Sequence, residues 1–216
     1  MPAKLYDKDQ ILEMCLHVFA HHGYEKTSTV MLAKAAGVSR ALLFHHFRNK
    51  KELYLEVVDR SLAKGRQELE GANLSGCQDF FEAREKFSRL KFRFFQKKPD
   101  AYRILKEALI ETPEAVAEEV AERYSQLQTG LHKLWEDLFQ KVPLKNGVDR
   151  EKAFRLVMMV LDDFDRKYIS EATEDDILNE SYFQHFLDER NSFLAMVRYG
   201  IQNQRESWHE TDRYHL

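Results

Sequence analysis

Residues Thr27 to Lys50 read TSTVMLAKAAGVSRALLFHHFRNK. Thr27-Ser28-Thr29 supplies side-chain oxygens that can cap a helix. Val30, Leu32, Ala33 and Ala36 follow at a helical spacing with one buried face. Gly37 stops that helix, since glycine enters the left-handed conformation without a Cβ penalty. Val38 is apolar and wedges the two helices apart. Ser39 caps a second helix, Arg40 to about Phe47, anchored by Leu42, Leu43 and Phe47. Arg40, Ala41, Phe44, His45 and His46 are left for its outer face. Asn49, with Glu52 three residues on, has the pattern of a capping box and opens a further helix at Lys50. Helix, glycine turn, helix is the form of a helix-turn-helix, whose second helix enters the major groove of DNA.

Side-chain chemistry assigns roles along this stretch. Arg40 begins the second helix and suits paired hydrogen bonds to a guanine edge; the plainer reading is an exposed arginine beside a cap. Lys50 sits at a helix start, where its charge and the backbone N–H groups can clamp a phosphate. Thr27, Ser28 and Thr29 offer hydroxyls and amides to a phosphate. Ala41 and Leu42 fit a thymine methyl. His45 and His46 are adjacent, so on a helix they point about 100° apart and cannot chelate one ion together; a phosphate or base edge suits them better. The expected DNA contacts are therefore Thr27, Ser28, Thr29, Ser39, Arg40, Ala41, Leu42, Phe44, His45, His46 and Lys50.

Residues Ile11 to about Leu55 resemble the N-terminal domain of the tetracycline-repressor (TetR) family of bacterial regulators. The resemblance rests on Ile11-Leu12, Phe19, Gly23-Tyr24, Thr27, Thr29, Ala33, Ala36-Gly37-Val38-Ser39, Leu43, Phe44, His46-Phe47, Lys50 and Leu53, all in one register. Two departures stand out. Phe44 replaces a usual Tyr whose hydroxyl bonds a phosphate, and Ala41-Leu42 replace the usual Gly and Thr. Both bear on which DNA sequence is read.

Composition is consistent with this. The formal charge is 33 − 36 = −3 over 216 residues, which excludes a globally basic nucleic-acid coat. Residues 1–60 carry nine Lys/Arg and seven Asp/Glu, 9 − 7 = +2, with five histidines; the remainder carries 24 − 29 = −5. Two cysteines, Cys15 and Cys77, give no disulfide framework and fit a reducing cytosol. With no N-terminal apolar run and no stretch near 18 apolar residues, a signal peptide or membrane span is not expected.

In chain order, helix 1 spans about Asp7 to His21, with Ile11, Leu12, Cys15, Leu16 and Phe19 as its core stripe and an Asp7–Gln10 capping box. His17 and His21 are four apart, but no neighbouring Cys or carboxylate completes a metal site, so no metal is expected. Helix 4 runs from about Lys50 to Glu70, and Gly71–Gly76 reads as a boundary loop. The later chain carries no strand pattern. Helices are expected over about Gln78–Lys97 and Asp100–Glu111, and from Thr112-Pro113-Glu114 to about Lys141. That one has Thr112 as cap, Pro113 at the first helical position and a bend allowed at Gly130. Two more follow, from Asp149 to about Ser170 and from a Ser181–Gln184 cap onward, then a polar tail from Gln202. Asp162, Asp163 and Asp165 are spread around their helix and do not make a cation cage alone.

The expected fold is all-α: an N-terminal three-helix helix-turn-helix DNA-binding domain (1–50), a connecting helix and loop (51–76), and a C-terminal helical ligand-binding and dimerisation domain (77–216). No catalytic motif and no cofactor loop is present, so an enzyme is not expected. The resemblance implies a cytoplasmic homodimeric regulator, most simply a repressor. It would bind palindromic double-stranded DNA and be released by a small, largely apolar effector. It also implies an effector cavity; Phe87, Phe95, Tyr102, Tyr124, Trp135, Phe154 and Met158 are the candidate walls, against the reading that they simply fill a core. The two late helices either pair with their copies in a second subunit or bury the same faces within one chain. The alternative is an all-helical protein–protein adaptor that has kept the fold without DNA binding.

Overall fold

The computed structural model describes residues 7–70, 73–77 and 79–201. Ten α-helices and two 3-10 turns account for nearly all of them, with no strand among the described residues. The helices are α1 (Lys8–Lys26), α2 (Thr29–Ala36), α3 (Arg40–His46), α4 (Lys50–Glu70), α5 (Phe80–Lys97), α6 (Pro99–Leu109), α7 (Ala117–Phe139), α8 (Arg150–Glu171), α9 (Glu174–Leu178) and α10 (Glu180–Ile201).

Local chemistry sets the boundaries in the head, α1–α4. Asp7 caps α1 by accepting the Asp9 N–H at 3.0 Å. Ser28 accepts the Met31 N–H at 3.2 Å, Ser39 the Leu42 N–H at 3.1 Å, and Asn49 the Glu52 N–H at 2.9 Å. Gly37 is left-handed (φ 66°, ψ 25°), and Val38 N–H returns to Ala33 O at 3.1 Å while Gly37 N–H returns to Lys34 O, a Schellman closure.

In the body the expected boundaries shift in three places. Thr112 does not open α7; its hydroxyl donates to Ala108 O at 2.7 Å and closes the helix before it. Pro113 then precedes a 3-10 turn, Glu114–Val116, instead of standing at the first helical position of α7. Asn179, not Ser181, caps α10, accepting the Ser181 N–H at 2.9 Å. The short α9 has its own capping box, Thr173 with Asp176. Residue 78 and the tail from Gln202 lie outside the described residues, as do positions 71 and 72 of the expected boundary loop.

Two apolar cores result. The larger joins α1–α4 to α6, α9 and the adjoining parts of α5, α8 and α10, so packing crosses the expected domain boundary. The smaller, at the far end, gathers Phe80, Phe87, Trp135, Phe139, Phe154, Leu161 and their neighbours.

Candidate nucleic-acid interface

Arg40 stands at the first position of α3, exposed, with its guanidinium 6.0 Å from the Phe44 ring. Ala41, His45 and His46 are exposed beside it. Leu43 and Phe47, at 0% and 1% exposure, pin the helix to the core. Leu42 and Phe44 are half-buried, and Phe44 packs against that core rather than standing clear on the outer face. Ser28 and Ser39 are exposed, and each engages the backbone as a helix cap. Thr29 is half-buried. Thr27 departs from the expectation. It is 2% exposed and its hydroxyl donates to Gly23 O at 2.6 Å, which removes it from any phosphate. Lys50 lies back over the Tyr24 ring at 4.2 Å, with Nζ 3.5 Å from Glu25 O.

Charge on this face is more one-sided than the head's net balance suggests. From Lys26 to Lys51 the chain holds Lys26, Lys34, Arg40, Arg48, Lys50 and Lys51 and no carboxylate at all. Lys26, Lys34, Arg40 and Arg48 are exposed and make no ion pair among the described residues. Several of the head's acids on α1 and α4 pair elsewhere: Lys8–Glu56 at 2.6 Å, Lys64–Glu13 at 2.6 Å, and Arg60 with Asp9. Counting residues 26–51 alone would have revealed this field, and with it Lys34 and Arg48, which side-chain roles assigned one at a time overlooked.

The face is coupled to the body through Glu107 on α6. Its carboxylate accepts the Tyr24 N–H at 2.7 Å and the Tyr54 hydroxyl at 3.0 Å. The Tyr24 N–H is presented by a break in α1 at Gly23 (φ 72°, ψ 166°), a conformation essentially confined to glycine. A Cβ there would also sit 2.9 Å from Glu107 Oε1. Burial, with Glu107 alongside, pushes the Tyr54 hydroxyl pKa up, so Tyr54 stays a donor. Lys51 with Glu119 and Arg123 with Asp59 tie α4 to α7.

The candidate effector walls do not share one space. Phe87, Trp135, Phe154 and Met158 pack in the far core, Phe95 and Tyr102 in the core shared with the head, and Tyr124 is half-exposed on α7. Of the seven, Tyr102 alone lines the cavity of about 230 Å³ between α1 and α6. The three late aspartates separate as well. Asp163 pairs with Lys167 at 2.9 Å in solvent, and Asp162 has its carboxyl pKa raised mainly by burial. Asp165 lies among cations: Arg84 Nη2 at 3.2 Å and Lys91 Nζ at 3.1 Å.

Residues 11–57 match the model of the bacterial regulatory proteins of the tetR family. The match covers the head, α1 to the first turns of α4, and over that stretch the chain is similar to the tetR family. The biofilm operon negative transcriptional regulator IcaR of Staphylococcus epidermidis is 23% identical over 161 residues, 72% of this chain and 80% of that protein. The transcriptional repressor AcnR of Corynebacterium jeikeium is 39% identical over 57 residues; that match spans 26% of this chain and only 30% of AcnR. The fold matches the transcriptional regulator FadR of Bacillus subtilis, solved in complex with stearoyl-CoA, with a TM-score of 0.62 at 15% identity, covering 88% of this chain and 97% of that one. The head is thus similar in sequence to these regulators, and the likeness to the solved structure is one of fold.

Proposed function

We propose that this chain is a tetR-family regulator, a cytoplasmic repressor that binds a palindromic operator as a homodimer. The observation that carries the reading is the carboxylate-free run from Lys26 to Lys51, in which Lys26, Lys34, Arg40 and Arg48 are exposed and make no ion pair among the described residues. A second copy would dock on α8 and α10, which leave Leu156, Met159, Phe193, Met196 and Tyr199 exposed at helical spacing. Two α3 helices about one turn of DNA apart, roughly 34–36 Å, would then read the two half-sites.

The effector reading gains a chemical requirement. Arg190, 1% exposed in the body, makes its closest hydrogen bond to Ser88 Oγ at 2.6 Å and has no ion pair with a carboxylate among the described residues. Its main compensating carboxylate, Asp165, is shared with Arg84 and Lys91, and a buried cation with only a shared counter-ion is costly. An effector that joins an apolar part to an anionic group would complete it; stearoyl-CoA, present in the solved Bacillus subtilis regulator, joins an acyl chain to a phosphate-bearing head. Such a ligand shifts the equilibrium only if it binds the released form better.

The test is selection of random DNA fragments on the purified chain near physiological salt. A palindrome enriched by wild type and lost with Arg40→Ala supports the reading. A folded dimer that enriches nothing, even after unfolding, stripping and refolding, refutes it and restores the adaptor.

A further inference from the structure

We propose that His17, His21 and Asp100 form a binding site for a divalent transition-metal cation of the zinc and nickel class, closing the joint between head and body. The two histidines are one helical turn apart on α1, with ring centroids 4.3 Å apart. Asp100, in the first turn of α6, supplies the carboxylate that spacing along α1 did not contain. Its Oδ2 is 2.9 Å from His17 Nδ1 and its Oδ1 3.2 Å from His21 Nε2. One ligand atom from each residue lies within 4.8 Å of the others. Ligands about 2.0–2.2 Å from a tetrahedral ion stand about 3.4 Å apart, so little movement is needed. Two imidazoles and one carboxylate suit borderline ions over calcium or magnesium, which take oxygen cages. The side chains are 66%, 40% and 26% exposed, so water reaches the fourth position.

The charge of this place is already marked. Arg103 Nη1 lies 2.7 Å from Asp100 Oδ1 and 3.0 Å from His21 Nε2, so a guanidinium stands where the ion would sit. Its bond to Nε2 makes that nitrogen an acceptor, which is the form a metal ligand requires. Arg103 also lines the adjoining cavity of about 230 Å³, which gives the side chain room to withdraw. Metal and guanidinium therefore compete for one carboxylate. The ion would fasten α1 to α6 beside the Glu107 bridge, the connection through which the body holds the reading head.

The experiment uses the full chain without an affinity tag, stripped with a chelator and titrated calorimetrically with Zn²⁺ and separately with Ni²⁺. One ion per chain is expected. His21→Ala and Asp100→Asn, each shown to be folded by circular dichroism, should weaken binding at least about tenfold, the loss that even disturbing a ligand's support produces. Arg103→Ala should strengthen it. Absence of binding by wild type overturns the site. So does binding that none of the three substitutions changes, which would place the ion elsewhere, for example on the tail histidines His209 and His215. Because the readout is ion binding itself, failure here is separable from failure of the DNA reading.

Discussion

The head and the body handle buried polarity in opposite ways. In the head the fully buried polar side chains are Thr27 and Ser61, and each hydroxyl donates to a backbone carbonyl four residues earlier, Gly23 O at 2.6 Å and Val57 O at 2.9 Å. Both are satisfied within one turn and carry no charge. The body instead buries Arg84, Ser88 and Arg190 and sets Asp165 and Lys91 against them. Three cations meet one close carboxylate there, and the Nε atoms of Arg84 and Arg190 have no hydrogen-bond partner. The head's one unpartnered buried nitrogen among the described residues, Arg60 Nε, still faces Glu13 at 3.8 Å, and an interior so nearly satisfied holds α3 in one place. The body's interior has electrostatic demands left open, the condition under which a ligand or a shift of helices can lower the energy.

The largest test of this contrast is Asp165→Asn. It removes the one carboxylate that pairs with Arg84 and Lys91 and leaves those cations uncompensated, a loss of about 3 kcal/mol, the low end for a buried pair because the Asp165 side chain is 18% exposed. Chemical unfolding followed by fluorescence of Trp135, whose ring lies 4.7 Å from the Arg84 guanidinium, should show it. The same group sets a pH dependence. Burial alone would raise the Asp165 pKa, but Lys91, Arg84 and Arg190 together hold it below the usual carboxylate range. A depressed folded-state pKa means the contribution is complete above the ordinary value near 4 and is lost as pH falls through the folded value. Wild type should therefore lose stability below about pH 4 more steeply than the Asn variant. Parallel acid curves for the two would show that the cluster is not what distinguishes the body.

Next in size is the link between the regions. Glu107→Ala leaves the Tyr24 N–H and the Tyr54 hydroxyl without their acceptor, at a cost of about 2–3 kcal/mol. The sharper outcome is loss of cooperativity: head and body should melt as one unit in wild type and as two steps in the variant, measured by calorimetry. Tyr54→Phe alone should cost about 1 kcal/mol and keep one step.

These two sites also show where sequence reading succeeds. The head was legible because its signals are local: Ser28, Ser39 and Asn49 each cap an N–H three residues on, and Gly37 closes a helix by itself. The role of Thr27 was not legible, because its partner exists only once Gly23 breaks α1. In the body a Thr-Pro-Glu sequence carries the same opening signal, yet the Thr112 hydroxyl found a carbonyl behind it. Phe87 and Phe95 are expected together as walls of one cavity, and nothing in their spacing says that one enters the far core and the other the shared core. Asp100 lies 83 residues from His17 in the chain, beyond any motif spacing.

Arg40→Ala tests the head's surface without touching its interior. It should weaken operator binding by about 1–3 kcal/mol and relax preference at one base pair, with the melting temperature unchanged. Arg48→Ala should lower affinity for all sequences alike and reduce the salt slope by about 1. A change of base preference with Arg48→Ala instead would mean the two roles are reversed.

The smallest expected effect separates the regions most cleanly. Ser39 caps the seven-residue α3, and Thr173 caps the five-residue α9. Removing either hydroxyl with Ala should cost about 1 kcal/mol of local stability, since each loses one accepted N–H bond at a helix start. In α9 the Asp176 carboxylate compensates in part, because it also accepts from the Thr173 N–H at 2.9 Å; that bond survives the substitution, while the bond from the Thr173 hydroxyl, which helps hold the Asp176 pKa low, does not. The consequences should nonetheless diverge. α3 is too short to hold its first turn on propensity, so Ser39→Ala frays the turn that carries Arg40 and lowers DNA affinity. Thr173→Ala should lower stability by a comparable amount and leave DNA affinity unchanged. Operator titrations of the two variants, at a temperature where both are folded, decide it. Equal losses of affinity would mean that strain at α9 reaches α3 through the shared core, and the head could no longer be treated as the rigid partner of a responsive body.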